Sequence, residues 1–433
     1  KYRHNADTFK AMDLKSLRDN IDVTKRVAGA VLNELLRDDF ERLDVKFEQA
    51  TWDDKMGDEG KSKRRQVTTN DLEVQHPFHW GYEFDEIVQN NGGFDAIVTN
   101  PPWEAFKPFA KEFFLEHSEL VTKKKMRIEE FDKERKKLLK DSEIRSSWLE
   151  YRSRFSYMSE YFRASPYYVN QTATVSGKRT GSDINLYKLF TERCFNLLRP
   201  GGRCGLVIPA GIYMDLGTKG LRDLLFSKTK IDGLFSFENK KLIFDDVHRS
   251  IKFVVLTFEK SKTPRIVDFG ETTRSATPDD LLSPNRTGEL ETKEFSAAFM
   301  RHDVAELARF PAQGAIRIPV SLVKKLSPDS HSVMEFKSVM DMRTAEKMLR
   351  FPLLGQRING GWNLVLRQEF HMTNDSGLFK PQPGKGRLPL YEGKMIWQFD
   401  HLYSAPRYWV AEGEARMALL GRLQDKGQPL PYE

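Results

Sequence analysis

Phe94-Asp95-Ala96-Ile97-Val98-Thr99-Asn100-Pro101-Pro102-Trp103 is the stretch whose reading decides the fold. It is a short strand that stops abruptly. Asp95 to Thr99 form a β-rich run, and the paired prolines behind Asn100 remove two backbone donors and fix φ, so neither strand nor helix continues directly. Ala96, Ile97 and Val98 are an unbroken apolar run, the pattern of a strand covered on both faces inside a parallel sheet. Open α/β sheets bind ligands at the carboxyl ends of their strands, which is where Asn100 and its neighbouring carbonyls sit.

Downstream, Leu186, Leu189, Phe190, Cys194, Leu197 and Leu198 form one helical stripe that Ser182 or Asp183 would cap. Pro200-Gly201-Gly202 ends it and a strand over 203–208 follows. Helix, turn and apolar strand make a crossover unit of a parallel sheet. A helix over 220–228 and strands over 232–238 and 252–260 complete this part. Between the motif and that unit, residues such as Phe113, Phe131, Leu138, Ile144, Trp148 and Tyr151 recur at helical spacing among charges. A helical insertion over about 104–180 is expected there. Upstream, apolar residues from Leu14 to Val31 and Leu36 predict two helices within 14–50, then a polar loop over 53–65 and an aromatic stretch, Phe78-His79-Trp80. After Lys262, Pro, Gly, Ser and Arg become frequent, which reads as a boundary. The expected division is 1–93 lead-in, 94–262 an α/β sheet with its helical insertion, and 263–433 a mixed α+β domain.

The 433 residues carry 69 Lys and Arg against 62 Asp and Glu, a net +7 that suits a polyanionic partner. The two cysteines, Cys194 and Cys204, build neither a disulfide framework nor a metal cluster, so a reducing cytoplasm and no metal are expected. No apolar run approaches the roughly 18 residues of a membrane span.

The corner suits alkylation of an exocyclic amine, a poor nucleophile whose lone pair is delocalised into its ring. If the Asn100 oxygen and the Pro101 carbonyl each accept one amino hydrogen, the lone pair is freed. No base is then needed before attack. Trp103 would stack on the extruded ring. Flipping a base costs a few kcal/mol and a stacked aromatic returns about 1–3, so one ring nearly suffices.

With the apolar strand opened by Asp95 before it, Asn100-Pro101-Pro102-Trp103 resembles motif IV of the S-adenosylmethionine-dependent DNA amino-methyltransferases. These are mostly the adenine N6 enzymes of restriction-modification and phage-defence systems. Phe78-His79-Trp80 is similar to a stretch that often precedes that motif in the family, and the Pro-Gly-Gly unit resembles the fifth strand of the family's sheet. Pro389-Leu390-Tyr391-Glu392-Gly393-Lys394-Met395-Ile396, with Gln398-Phe399-Asp400-His401 behind it, looks like a segment of the large single-chain members. The resemblance implies the downstream half of a Rossmann-like methyltransferase sheet and a target-recognition domain, incomplete in this sequence, over 263–433. It implies S-adenosylmethionine as cofactor and double-stranded DNA as partner. Asn100, Pro101, Pro102 and Trp103 become the catalytic group, with Phe244 stacking on the far face of the flipped adenine. Lys394, Gln398 and Arg407 become candidates for the target bases, and Lys123 and Lys124 for the phosphates.

The family's glycine loop, Asp-Pro-x-x-Gly-x-Gly, is not found in residues 1–93, and Asp95 and Asn100 are at most adjacent to the cofactor. A missing cofactor-binding half is therefore expected upstream in the same polypeptide or on another chain, with other defence-system subunits as further partners. Two alternatives remain open at this stage. One is a catalytically inactive DNA-binding or scaffold module; the other is a methyltransferase acting on RNA or on protein glutamine.

Overall fold

The computed structural model describes residues 11–117, 128–172, 174–175, 178–179, 183–262, 291–361, 363 and 369–425. The chain divides into two compact units, Lys1–Phe351 and Pro352–Glu433.

The first unit is built on a six-stranded mixed sheet. Its strands are β1 (Phe94–Thr99), β2 (Leu198–Pro209), β3 (Thr229–Glu238), β4 (Lys252–Lys260), β5 (Glu294–Arg301) and β6 (Ile316–Pro319), in the order β6-β5-β3-β4-β2-β1. β1 pairs parallel with β2, and β3 parallel with β5. β4 runs antiparallel between β2 and β3, and β6 antiparallel to β5. The alternation of β4 explains the layering. Val254, Leu256 and Phe258 enter the larger core with Leu206, Ile208, Leu221 and Leu225, while Phe253 faces the other way, into a smaller aromatic cluster with Phe235 and Phe237. Truncating one of these fully buried phenylalanines to alanine costs about 3–5 kcal/mol.

Several expectations change. The N-terminal segment forms one helix, Ala11–Arg42, not two, because the charges between its apolar positions do not interrupt helical geometry. The expected loop over 53–65 contains strand pairs: Lys46–Gln49 with Lys63–Gln66, and Trp52–Asp53 with Asp58–Glu59. Behind the motif stand helices Ala110–Leu115, Ile128–Leu138 and Ser142–Ala164, whose Phe114, Phe131 and Trp148 make a core of their own with Leu139 of the turn between the last two.

Helix Leu186–Leu197 starts at Asn185, and neither expected cap serves it. Asp183 instead pairs with Lys107 at 2.9 Å, and Ser182 lies outside the described residues. Phe190 is exposed, whereas Glu192 is buried and takes hydrogen bonds from Asn170 and Gln171. The helix is thus covered on a second, polar side by the segment before it.

The boundary expected after Lys262 falls inside the first unit, since β5 and β6 rejoin the sheet and the unit runs to Phe351. The apolar strand β1 is the edge of the sheet. Ala96 is exposed and Val98 87 % exposed, so the double covering expected of this run is not supplied by the described residues.

The second unit has a three-stranded sheet with Trp409–Ala411 between Phe379–Lys380 and Arg387–Pro389, followed by helix Glu412–Asp425. Leu390, Val410 and Ala415 form its core with Phe370, Phe379 and Tyr408. Among the described residues no helix is long and apolar enough to cross a membrane, and no group of His, Cys, Asp and Glu could hold a metal.

Candidate active site

β1 is positioned from its first residue. Helix Asp85–Asn91 ends on Gly92 in the left-handed conformation, and Gly93 follows at φ +132°. A Cβ on Gly93 would lie 2.4 Å from the Leu197 carbonyl oxygen and 2.8 Å from the Arg199 nitrogen, so only glycine lets the strand start against that backbone. Arg199 Nε donates to Asp95 Oδ1 at 2.6 Å.

Phe94 sits edge-on to Trp80 and Phe84, with ring centroids 6.3 and 5.0 Å away. In the same stretch, His79 Nε2 donates to Asn33 Oδ1 at 2.9 Å, and burial holds this imidazole below its ordinary pKa. The Phe-His-Trp stretch therefore supports the root of β1, and His79 is a packed neutral histidine.

Past Thr99 the strand breaks as its prolines require. Asn100 is exposed, Pro101 buried, Pro102 exposed and Trp103 half-buried. The outgoing chain is tied down at once: Leu186 N–H donates to the Glu104 carbonyl at 2.9 Å, and Phe106 N–H to the Ile184 carbonyl at 2.7 Å. The corner is thus fixed between β2 and the start of helix Leu186–Leu197.

Trp103 joins Asn100 directly. Its indole N–H is shared between Asn100 Oδ1 at 3.0 Å and the Val207 carbonyl at 3.3 Å. This bond holds the amide oxygen in place and leaves its second lone pair for another donor. The indole ring meets Phe244 edge to face, 5.5 Å between centroids at 78°, and Phe253 at 5.8 Å. A ring sandwiched between two others needs about 7 Å, two van der Waals separations. Trp103 and Phe244 are brought together, but in closed contact.

Asn239, which the sequence does not single out, fixes the loop carrying Phe244. Fully buried, it donates to the Phe244 carbonyl at 2.9 Å and the Val247 carbonyl at 2.6 Å, and accepts the Phe244 N–H at 3.0 Å. The backbone at Phe244 is held, and its ring packs edge-on against Trp103 and Phe253. Two cavities, of about 450 and 410 Å³, lie elsewhere in this unit, one lined by Asp303, Glu306 and Arg309, the other by Phe47, Gln75 and Tyr157.

Among the described residues, the segment just past β2 offers no cradle for a nucleoside cofactor. Gly211, just past β2, is closed by the protein itself: a Cβ there would lie 2.4 Å from Asp215 Oδ2 and 2.7 Å from the Tyr187 hydroxyl. The remaining candidates belong to the second unit. Lys394 pairs with Glu392 at 2.9 Å, Gln398 is exposed, and the exposed Arg407 lies 4.9 Å over the Tyr408 ring. Lys123 and Lys124 lie outside the described residues.

The family model described as Eco57I restriction-modification methylase matches residues 19–148 and 157–244. No curated protein matches the chain. Similar solved structures include a chain of a type I restriction-modification system studied in assembly and conformational transition, at 14 % identity and TM-score 0.27, over 61 % of this chain and 43 % of that one. The M protein of the type I restriction enzyme EcoKI is another, at 13 % identity and TM-score 0.22, over 41 % of this chain and 44 % of that one. A modification subunit of a putative type I restriction enzyme from Vibrio vulnificus YJ016 matches at 10 % identity and TM-score 0.24, over 62 % of this chain and 67 % of that one. The chain spans less than half the length of the first two. The corner at Asn100, the aromatic wall at Trp103 and Phe244, and the glycines that seat β1 all fall within the matched residues, and the chain belongs to the Eco57I restriction-modification methylase family.

Proposed function

We propose that this chain carries the amine-holding part of a restriction-modification methyltransferase that modifies the N6 amine of adenine in duplex DNA. The observation that carries the reading is Asn100. Its amide oxygen stands exposed at the carboxyl end of β1, oriented by the Trp103 indole, with one lone pair free. Adenine's amino group would donate one hydrogen to Asn100 Oδ1 and the other to the Pro101 carbonyl, which frees the nitrogen lone pair. Both bonds strengthen as positive charge develops on nitrogen, so they act on the transition state more than on the ground state. Trp103 would cover one face of the flipped base. Phe244 would cover the other after its side chain rotates away from Trp103, the loop backbone staying on its Asn239 clamp.

S-adenosylmethionine is the methyl source of this reading, held by residues outside those described. Two apolar surfaces suit a cofactor-binding half: the free edge of β1, and Val23, Val27, Val31 and Leu35, exposed at four-residue intervals along helix Ala11–Arg42. Other restriction-modification subunits are further partners of the reading.

The test is transfer of tritium-labelled methyl groups by the complete protein to duplex DNA, to RNA and to a glutamine-bearing protein in parallel. Label in DNA alone supports the reading, and label confined to RNA or protein overturns it. The absence of an Asp-Pro-x-x-Gly-x-Gly loop from residues 1–93 favours a second reading, a DNA-binding module without catalysis. Duplex binding with no label in any acceptor would establish it.

A further inference from the structure

Glu335 reaches the sheet from a segment outside it. That segment follows helix Val320–Leu326 and runs from the end of β2 toward the start of β4, with Val333 and Phe336 buried in the larger core. Its backbone is docked just past β2. Val333 N–H donates to the Tyr213 carbonyl at 2.8 Å, and the Ser332 hydroxyl donates to the Met214 carbonyl at 2.8 Å.

The Glu335 side chain is 11 % exposed and both of its oxygens are engaged. Oε1 accepts the Tyr213 hydroxyl at 2.7 Å, and Oε2 accepts the Lys252 ammonium at 2.5 Å. The fully buried Ser236 of β3 lies 2.7 Å from the same Tyr213 oxygen and donates to it, since the tyrosine proton is committed to Glu335. Burial raises the tyrosine pKa well above its ordinary range, so the hydroxyl keeps the proton it donates. One carboxylate thus joins the end of β2, the last turn of pleat in β3 and the first residue of β4.

A buried ion pair contributes little net stability, because desolvation offsets its attraction. What this pair holds in place is the neck of a loop. The Lys252 carbonyl accepts the Ala210 N–H at 3.0 Å, and one residue earlier the Ile251 carbonyl accepts the Asn239 N–H at 3.1 Å. Between Asn239 and Ile251 runs the loop that carries Phe244. Strand alternation sends Lys252 to the Glu335 side of the sheet and Phe253 to the other, where its ring lies 5.8 Å from Trp103 and 4.9 Å from Phe244. Glu335 therefore stands behind the aromatic wall, one strand residue away from it.

We propose that Glu335 is a positioning residue: through Lys252 it fixes the neck of the Phe244 loop and the Phe253 ring, so that the Phe244 side chain can leave Trp103 for a base while the loop stays in register. The inference rests on the methyltransferase reading above and adds the group that sets its aromatic wall.

The experiment measures steady-state methyl transfer and amide hydrogen exchange on the complete protein. Glu335→Gln keeps an acceptor for Tyr213 and removes the charge that holds Lys252. It should lower kcat about tenfold, the loss of one charge-assisted hydrogen bond. KM for duplex DNA and retention of labelled S-adenosylmethionine should stay at wild-type values. Exchange should speed by a similar factor in peptides over 239–251 and stay unchanged over 94–103 and 219–238. Lys252→Met should do the same, and the double variant should lose no more than either single one, because both break one link. Lys252→Arg restores a cation at the neck and should recover most of the rate lost in Lys252→Met. Faster exchange spread through β2 and β3 overturns the proposal in favour of a merely structural pair. A loop-local change with kcat at the wild-type level, a change in KM alone, or additive losses in the double variant also overturn it. The two readings fail separately. A wild type that transfers no methyl group to duplex DNA removes the methyltransferase, while exchange confined to 239–251 keeps the link from Glu335 to the loop. A wild type and variants that methylate duplex DNA equally fast remove the positioning role and leave the methyltransferase.

Discussion

Trp103 does two things at once, and they can be separated by substitution. Trp103→Phe keeps a ring over the site but removes the N–H that holds Asn100 Oδ1. A neutral hydrogen bond contributes about 0.5–1.5 kcal/mol, so methyl transfer should fall up to about tenfold with duplex affinity unchanged. Trp103→Ala should in addition weaken base extrusion by about 1–3 kcal/mol, read as fluorescence of a 2-aminopurine at the target. His79 gives a pH dependence. Its folded pKa lies below the ordinary 6.5, so its contribution to stability is present above that value and is lost as pH falls through the folded pKa. Thermal melts of wild type should decline below about pH 6.5 more steeply than those of His79→Gln. The residue types of this site were legible because Asn-Pro-Pro-Trp is a local signal. The bond between Trp103 and Asn100 was not, since it depends on how the proline corner folds back, nor was Asn239, because a buried asparagine and a turn asparagine look alike in sequence.

At the scale of elements, the start and the edge of β1 lead to opposite expectations. Gly93→Ala would place a Cβ on the Leu197 carbonyl at a φ that disfavours side chains, and should cost about 2 kcal/mol or more in chemical denaturation. Val98→Lys, on a side chain 87 % exposed, should change stability by less than about 0.5 kcal/mol. In the complete protein the same change should abolish retention of labelled S-adenosylmethionine if β1 is the seam with the cofactor-binding half. Unchanged retention would remove that assignment. β2, β3 and β4 were legible because apolar runs and the Pro-Gly-Gly turn mark them locally. The hairpin strand Lys63–Gln66 was hidden because all four residues are exposed, so it carries no alternation. The single long helix was read as two because exposed valines do not reveal where a helix ends.

For the whole molecule, the α/β class followed from a few strands, but the extent of the sheet did not. The polar stretch after Lys262 looks like a domain boundary. β5 nevertheless returns to pair with β3, a partner some sixty residues earlier, and long-range pairing of that kind leaves no local trace. The second unit therefore begins at Pro352 and contains Lys394, Gln398 and Arg407. All of this serves one central claim, that Asn100 holds an adenine amine for methylation. Its most direct test is nucleoside mass spectrometry of duplex DNA incubated with S-adenosylmethionine and the complete protein, wild type beside Asn100→Ala, with duplex affinity measured for both. N6-methyl-2′-deoxyadenosine should appear with wild type and vanish with the variant at equal affinity; the same yield from both, or a methyl group on another base, would contradict the account.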